Sequence, residues 1–247
     1  MKQIPLDLGI REVPTLESFV GSGNLMLRAM VALQSVGEGE LQLYLHGPSG
    51  CGRTHLAQAA CHHANDQGLT AAFLPLKSLH RRMGQAFEGL ERLDLVVLDD
   101  VDAVTAHHED AFALFDLINR LREQDRRLLM TASRPPRELP LDFPDLVTRL
   151  GWGTVLGIRE PTDAEKIDLL QVRARQRGFE LPFETGMYLL RMYRRDVAAL
   201  IALLGRLDRA SMIEHRRLTV RFVRDVLSAA STDHTGQGKS LSYHEDT

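Results

Sequence analysis

The stretch Leu41–Leu56, LQLYLHGPSGCGRTHL, constrains this chain more than any other. Leu41, Leu43 and Leu45 alternate with Gln42 and Tyr44, the two-residue period of a strand. A glycine-rich turn follows, Gly47-Pro48-Ser49-Gly50-Cys51-Gly52-Arg53-Thr54, and the spacing then becomes helical. Strand, loop and helix in that order form a phosphate-binding unit. The glycines let the backbone curl until its N–H groups face phosphate oxygens, and the helix N-terminus adds its dipole. The loop fits G-x-x-x-x-G-K-[ST] except that Arg53 stands where lysine belongs. Thr54 then offers a hydroxyl to Mg2+ and Arg53 a cation to the β- and γ-phosphates, with His55 next in line.

Such a unit calls for a parallel sheet. Strands are expected at 70–74, 93–98, 127–131 and 154–158, alternating with helices at 24–33, 54–66 and near 78–87. A further helix follows a polar turn at 105–110, in which His107-His108-Glu109-Asp110 reads as a solvated loop. Alternating strands and helices imply right-handed crossovers and an α/β domain. The apolar run Leu93–Leu98 ends in Asp99-Asp100, at the edge where the phosphate loop lies. One carboxylate can hold Mg2+ through water, and the other can orient an attacking water. Ser133 follows the next strand onto the same edge, within reach of a γ-phosphate or that water. The prolines Pro135 and Pro136 explain a plain turn there equally well.

Arg149, before the last strand, either reaches into a neighbouring subunit's nucleotide or lies on the surface. Arg195 either swings onto bound phosphates or is solvated. The group Cys51, His55, Cys61, His62 and His63 has no zinc-site spacing.

After Pro161 the pattern is helical only. Thr162-Asp163-Ala164-Glu165 is a capping box opening a helix to about Gln176, and further helices begin at Pro182, Arg195 and Thr219. The expected organisation is an extended peptide at 1–10, an α/β domain at 11–160, a small all-α domain at 161–230 and a disordered polar tail at 231–247. In the first segment Ile4, Leu6 and Leu8 alternate with Pro5 and Asp7. Such a terminus tucks against its own domain or docks on a partner.

Composition narrows the function classes. A hydrophobic share of 44% suits a soluble core, and a net charge of −3 gives no general drive toward nucleic acid. The two cysteines lack CxxC spacing and no secretory leader is evident, which suits a reducing cytoplasm. No apolar run approaches membrane-spanning length.

The order of phosphate loop, Asp99-Asp100, Ser133 turn, Arg149 and helical lid with Arg195 resembles the AAA+ ATPases. Thr15-Leu16-Glu17-Ser18-Phe19-Val20-Gly21 with Asn24 resembles the adenine-side segment of the bacterial initiator DnaA. Thr131-Ala132-Ser133-Arg134-Pro135-Pro136 and Arg195-Asp196-Val197-Ala198-Ala199-Leu200 resemble its two sensor segments. The chain shows no third, DNA-binding part after the lid. Leu150-Gly151-Trp152-Gly153, Arg173–Pro182 and Leu207-Asp208-Arg209-Ala210-Ser211 are similar to the Hda family, the DnaA-homologous regulatory inactivators.

That resemblance implies an AAA+ P-loop domain with a central parallel sheet, then a small all-α lid. It implies ADP, or ATP, with Mg2+ on Gly47–His55, Asp99, Asp100, Ser133 and Arg195. It makes Gln3, Ile4, Leu6 and Leu8 a peptide docking on the sliding clamp of DNA polymerase III, with Ile4 replacing the more usual leucine. Arg149 becomes an arginine finger acting in trans on ATP held by DnaA. DNA is then met mainly through the clamp, and both a monomer and a homo-oligomer fit. Arg53, Ser133 where the initiators have Asp, and Asp100 where AAA+ motors have Glu all point to a nucleotide clasp rather than a motor. The alternatives are a helicase loader or clamp-loader subunit turning over its own ATP, a small-molecule P-loop kinase, and a DNA-binding initiator variant. The kinase lacks an acceptor site, and the initiator variant lacks a DNA-binding part.

Overall fold

The computed structural model describes residues 13–19, 21–79, 83–214, 216 and 218–233. The chain divides into two compact units, Met1–Pro161 and Thr162–Thr247.

The first unit is built on five parallel strands: β1 (Gln42–His46), β2 (Ala71–Pro75), β3 (Leu95–Asp99), β4 (Arg127–Ala132) and β5 (Thr154–Gly157). Their order across the sheet is β2-β3-β4-β1-β5. Side chains alternate across the sheet, so both faces must be apolar if both are covered. They are. Tyr44, Val96, Leu98, Leu128 and Met130 face one layer, while Leu43, Leu45, Leu95, Val97 and Leu129 face the other. On the second side lie α1 (Leu25–Ser35) and α2 (Arg53–Asp66), through Leu27, Val31, Leu56, Ala57 and Ala60. On the first lie α3 (Met83–Ala86), α4 (His108–Glu123) and α5 (Pro144–Leu150), through Met83, Leu114, Leu117, Leu146 and Leu150.

β1 and β4 are neighbours whose connections leave toward opposite edges of the sheet. The chain therefore opens a crevice outside their carboxyl ends, where ligands of open α/β sheets bind.

Two expectations change here. The helix expected near 78–87 is, among the described residues, a 3-10 turn at Leu76–Ser78 and the single turn Met83–Ala86. Gly84 lies within it, and glycine weakens a helix interior by about 1 kcal/mol. The stretch His107–Asp110 is no solvated loop. His108, Glu109 and Asp110 form the first turn of α4, where acidic side chains favour the helix dipole, and Asp110 is buried.

The second unit holds α6 (Asp163–Gln176), α7 (Phe183–Met192), α8 (Val197–Glu214) and α9 (Val220–Asp233). Thr162 caps α6 as its sequence promised: its hydroxyl accepts from the Glu165 N–H at 3.3 Å, and the Glu165 carboxylate accepts from the Thr162 N–H at 2.8 Å. The apolar faces meet in a core of Ile167, Leu170, Leu189, Leu204, Leu207 and Phe222. Ser231–Asp233, expected in a disordered tail, continue α9, and the rest of that tail lies outside the described residues.

Candidate functional site

The loop after β1 is shaped by glycine. Gly50 and Gly52 have φ of 82° and 99°, a region that L side chains avoid. At Gly52 a Cβ would also meet Phe19 Cε2 at 2.7 Å, and at Gly47 it would meet Cys51 Sγ at 2.8 Å. Gly52, at the N-cap of α2, has no side chain with which to cap the helix. The Arg53 N–H faces the Cys51 sulfur, and the N–H groups after it in the first turn are the donors that such a loop presents to an anion. Cys51 is buried beneath the loop, and burial pushes its thiol up from the ordinary value, which leaves it a packing residue.

The N-terminal segment braces the loop from outside. Thr15 and Ser18 exchange hydrogen bonds in a tight turn, and Ser18 Oγ and the Thr15 carbonyl lie 3.0 and 3.2 Å from His55 Nε2. Phe19 stacks on His55 with ring centroids 6.2 Å apart. Asn24, buried, makes a two-point contact with the Arg159 backbone: its Nδ2 donates to the carbonyl and its Oδ1 accepts from the N–H, both at 2.9 Å. His55 is thus tied to the segment 15–19 as well as to the loop.

At the end of β3, Asp99 Oδ2 accepts from the Thr54 hydroxyl at 2.7 Å and Oδ1 from the buried Thr131 hydroxyl. Thr54, whose hydroxyl is expected at Mg2+, and Asp99, one of the two carboxylates expected there, are in contact. Asp100, with φ 57°, turns away from the strand, and its N–H donates to Thr131 Oγ1. Its carboxylate lies between two cations: Arg53 Nη2 at 3.3 Å and Lys77 Nζ at 2.8 Å. The Arg53 contact is an ion pair without hydrogen-bond alignment, since Asp100 Oδ1 is buried with no hydrogen-bond partner. Arg53 also donates to the Gly47 carbonyl at 3.0 Å, so its planar fork closes across the loop. Ser133 donates to Asp102 Oδ2 at 2.7 Å, and the Tyr44 hydroxyl anchors the same turn through the Arg134 carbonyl at 2.9 Å. Burial holds the Tyr44 phenol, and after it the Asp102 charge, far above its ordinary range, so Tyr44 stays a donor.

These residues suit a nucleotide with a divalent cation. The loop offers glycines and N–H groups of the first α2 turn to phosphates. Thr54 and Asp99 offer hard oxygens, and Asp100 Oδ1 and Asp102 Oδ1 are buried without donors at the same edge. Among the described residues no group of three His, Cys, Asp or Glu could hold a metal ion by itself.

Arg149 occupies the last turn of α5, away from this loop in sequence but fixed to the same strand. Gln42, at the start of β1, donates Nε2 to the carbonyls of Arg149 at 2.8 Å and Leu150 at 3.1 Å. The guanidinium carbon of Arg149 lies 3.5 Å from the Trp152 ring centroid and 5.6 Å from that of Phe115. Among the described residues, no carboxylate is within ion-pair distance of it. Arg195, two residues before α8, donates to the Leu190 carbonyl at 3.3 Å and faces Asp163 at 3.8 Å. Gln3, Ile4, Leu6 and Leu8 lie outside the described residues.

Sequence reasoning missed Lys77, Thr131, Asp102 and Gln42. Lys77 follows β2, far in sequence from Asp100, and only the β2–β3 pairing brings them together. Thr131 carried a weak signal, a polar residue inside an apolar strand.

Residues 11–157 match a family model described as the bacterial DnaA ATPase domain, and residues 163–227 one described as the Hda lid domain. Among solved structures, AMPPCP-bound DnaA from Aquifex aeolicus is similar with a TM-score of 0.66 at 24% identity, over 78% of this chain and 65% of that one. Domain III of the Thermotoga maritima replication initiation protein DnaA gives 0.74 at 18% identity, over 88% and 97%. The Thermotoga maritima RuvB Holliday junction branch migration motor gives 0.67 at 19%, over 87% and 72%. At these identities the likeness is one of fold, and the chain spans 65% of the Aquifex initiator.

Proposed function

The chain belongs to the bacterial DnaA ATPase domain family, an AAA+ α/β fold followed by an all-α lid of the Hda type, and from that membership we propose that it is a negative regulator of chromosomal replication initiation. It holds ADP with Mg2+ through Gly47–His55, Asp99, Asp100, Ser133 and Arg195. It docks on the DNA-loaded sliding clamp through Gln3, Ile4, Leu6 and Leu8. From there it presents Arg149 in trans to ATP held by DnaA, whose hydrolysis leaves the initiator inactive. Its place is the cytoplasm; among the described residues no helix is long and apolar enough to cross a membrane.

The observation that carries this reading is the contrast between two arginines. Arg53 is engaged within its own loop, on the Gly47 carbonyl and Asp100, and Lys77 covers the other Asp100 oxygen. Both Asp100 oxygens thus face cations of the chain and not an attacking water. Arg149, by contrast, has no acid partner among the described residues and rests on aromatic faces. Bound nucleotide would supply the charge that organises the loop. Thr54 and Asp99 would hold its cation, and the α2 N–H groups its phosphates. The guanidinium of Arg149 would stabilise charge on the partner's transferring phosphoryl group.

The test is ATP hydrolysis by DnaA with this chain, clamp and DNA, each omitted in turn. Stimulation requires all of them. Arg149→Ala should keep ADP and clamp binding yet lose a stimulation worth about 10³–10⁵-fold. Survival of stimulation in that variant would move the finger elsewhere. The Thr54–Asp99 contact also suits a second reading, an ATPase acting as helicase loader or clamp-loader subunit. Sustained hydrolysis by the chain without DnaA would favour it.

A further inference from the structure

Trp152 carries two guanidinium groups. The Arg149 carbon is 3.5 Å from its ring centroid and the Arg122 carbon 4.0 Å. Neither arginine has a carboxylate within ion-pair distance among the described residues. The neighbouring arginines differ: Arg120 pairs with Asp116 and Glu91, and Arg126 with Asp94. The backbone under the ring is fixed as well. At Gly153 a Cβ would lie 2.0 Å from the Gln42 carbonyl oxygen, so only glycine lets the chain pass β1 there. Gln42 itself holds the Arg149 and Leu150 carbonyls. Trp152 and Arg122 border an open hollow of about 500 Å³ on this side of the sheet, so the ring is placed by its stacking partners and not by a closed core.

A guanidinium has two kinds of surface. Its planar faces stack on aromatic rings, while its edges carry five N–H donors. A carboxylate partner would occupy the edges. An aromatic partner occupies a face and leaves the edges free for a phosphate. We propose that Trp152 is a positioning residue for Arg149: it fixes the plane and direction of the guanidinium while sparing every donor for the partner's phosphate, and Arg122 pins the ring. The proposal rests on the reading of Arg149 as a finger acting in trans.

The experiment uses the full chain with clamp, DNA and ATP-bound DnaA. Trp152→Leu should lower the rate of stimulated hydrolysis at saturation by about 10-fold, a loss between those of an exposed and a desolvated cation–π contact. The half-saturating concentration and ADP affinity should stay unchanged. Trp152→Phe should restore most of the rate. A Leu variant as active as the parent overturns the proposal, and so does a Phe variant as poor as Leu. Should Trp152→Leu fail to fold, the ring reports directly, because Trp152 is the sole tryptophan. Labelled with 5-fluorotryptophan, the chain gives one fluorine resonance. Arg149→Ala should shift it and Arg28→Ala, on α1 across the sheet, should not. A resonance indifferent to Arg149 overturns the proposal. Full stimulation by Arg149→Ala would instead refute the finger reading, which separates the two failures.

Discussion

Gly52 does two things that no other residue type could do at once. Its φ of 99° turns the loop into α2, and its bare α-carbon lets Phe19 approach until a Cβ would lie 2.7 Å from the ring. Gly68, closing α2 with φ 81°, has the first property alone, since nothing lies within 4 Å of its would-be Cβ. The pair separates conformational strain from steric conflict. Gly68→Ala should cost about 1–2 kcal/mol, the left-handed penalty alone. Gly52→Ala should cost more, on the order of 3 kcal/mol, and should weaken ADP binding because Phe19, His55 and the loop shift together. Urea denaturation of both variants measures the difference; equal losses would mean that Phe19 yields freely. The glycine requirement was legible in the motif. The Phe19 contact was not, because a packing partner more than thirty positions away leaves no mark in local spacing. The same holds for Lys77 on Asp100 and Gln42 under α5, which depend on strand order.

The strands of the first unit are tied at their amino ends as well as along their ladders. Asp94, just before β3, accepts from the Thr70 N–H at 2.9 Å and the Thr70 hydroxyl at 2.8 Å, and pairs with Arg126 at 3.1 Å ahead of β4. One carboxylate thus joins the starts of β2, β3 and β4. The Thr70 backbone bond first, then its hydroxyl, hold the Asp94 carboxyl below its ordinary 3.8, with Arg126 and Arg127 adding to them. A depressed folded value means that the unfolded state takes up protons first. The contribution is complete above pH 3.8 and lost as pH falls through the lower folded value. Urea midpoints of the parent and Asp94→Ala should therefore differ at pH 7 and converge below that pH. A gap independent of pH would show that packing, not charge, is what Asp94 supplies. At this scale the sequence was a good guide wherever period and punctuation agreed, as in β1, β3 and the Thr162 capping box. It failed where local chemistry admits two outcomes. His108-Glu109-Asp110 reads as polar surface, yet acidic residues open helices, and tertiary packing buries Asp110 while His108 lies against Phe112 and Phe143.

Across the whole chain, charge argues about partners. A net charge of −3 on 247 residues gives no general attraction to a polyanion, so a protein of this composition that acts at DNA is best brought there by another protein. The peptide Gln3-Ile4-Pro5-Leu6-Asp7-Leu8 offers the chemistry for such a tether: an amide to hydrogen-bond at a pocket rim, and Leu6 and Leu8 to fill apolar subsites. Its structure lies outside the described residues, so the expectation rests on residue type and on the family likeness. The two compact units each have their own core among the described residues. If the peptide is a tether and nothing more, replacing Gln3 and Leu6 together with Ala should leave the thermal unfolding of both units and the ADP affinity unchanged while abolishing capture by immobilised clamp. Stimulation of DnaA should fall at working concentrations and recover when the variant is supplied in large excess, because a tether raises local concentration without altering the finger. Clamp capture that survives the double replacement would remove the tether from the mechanism. Loss of ADP binding would instead mean that the peptide belongs to the nucleotide domain's own fold.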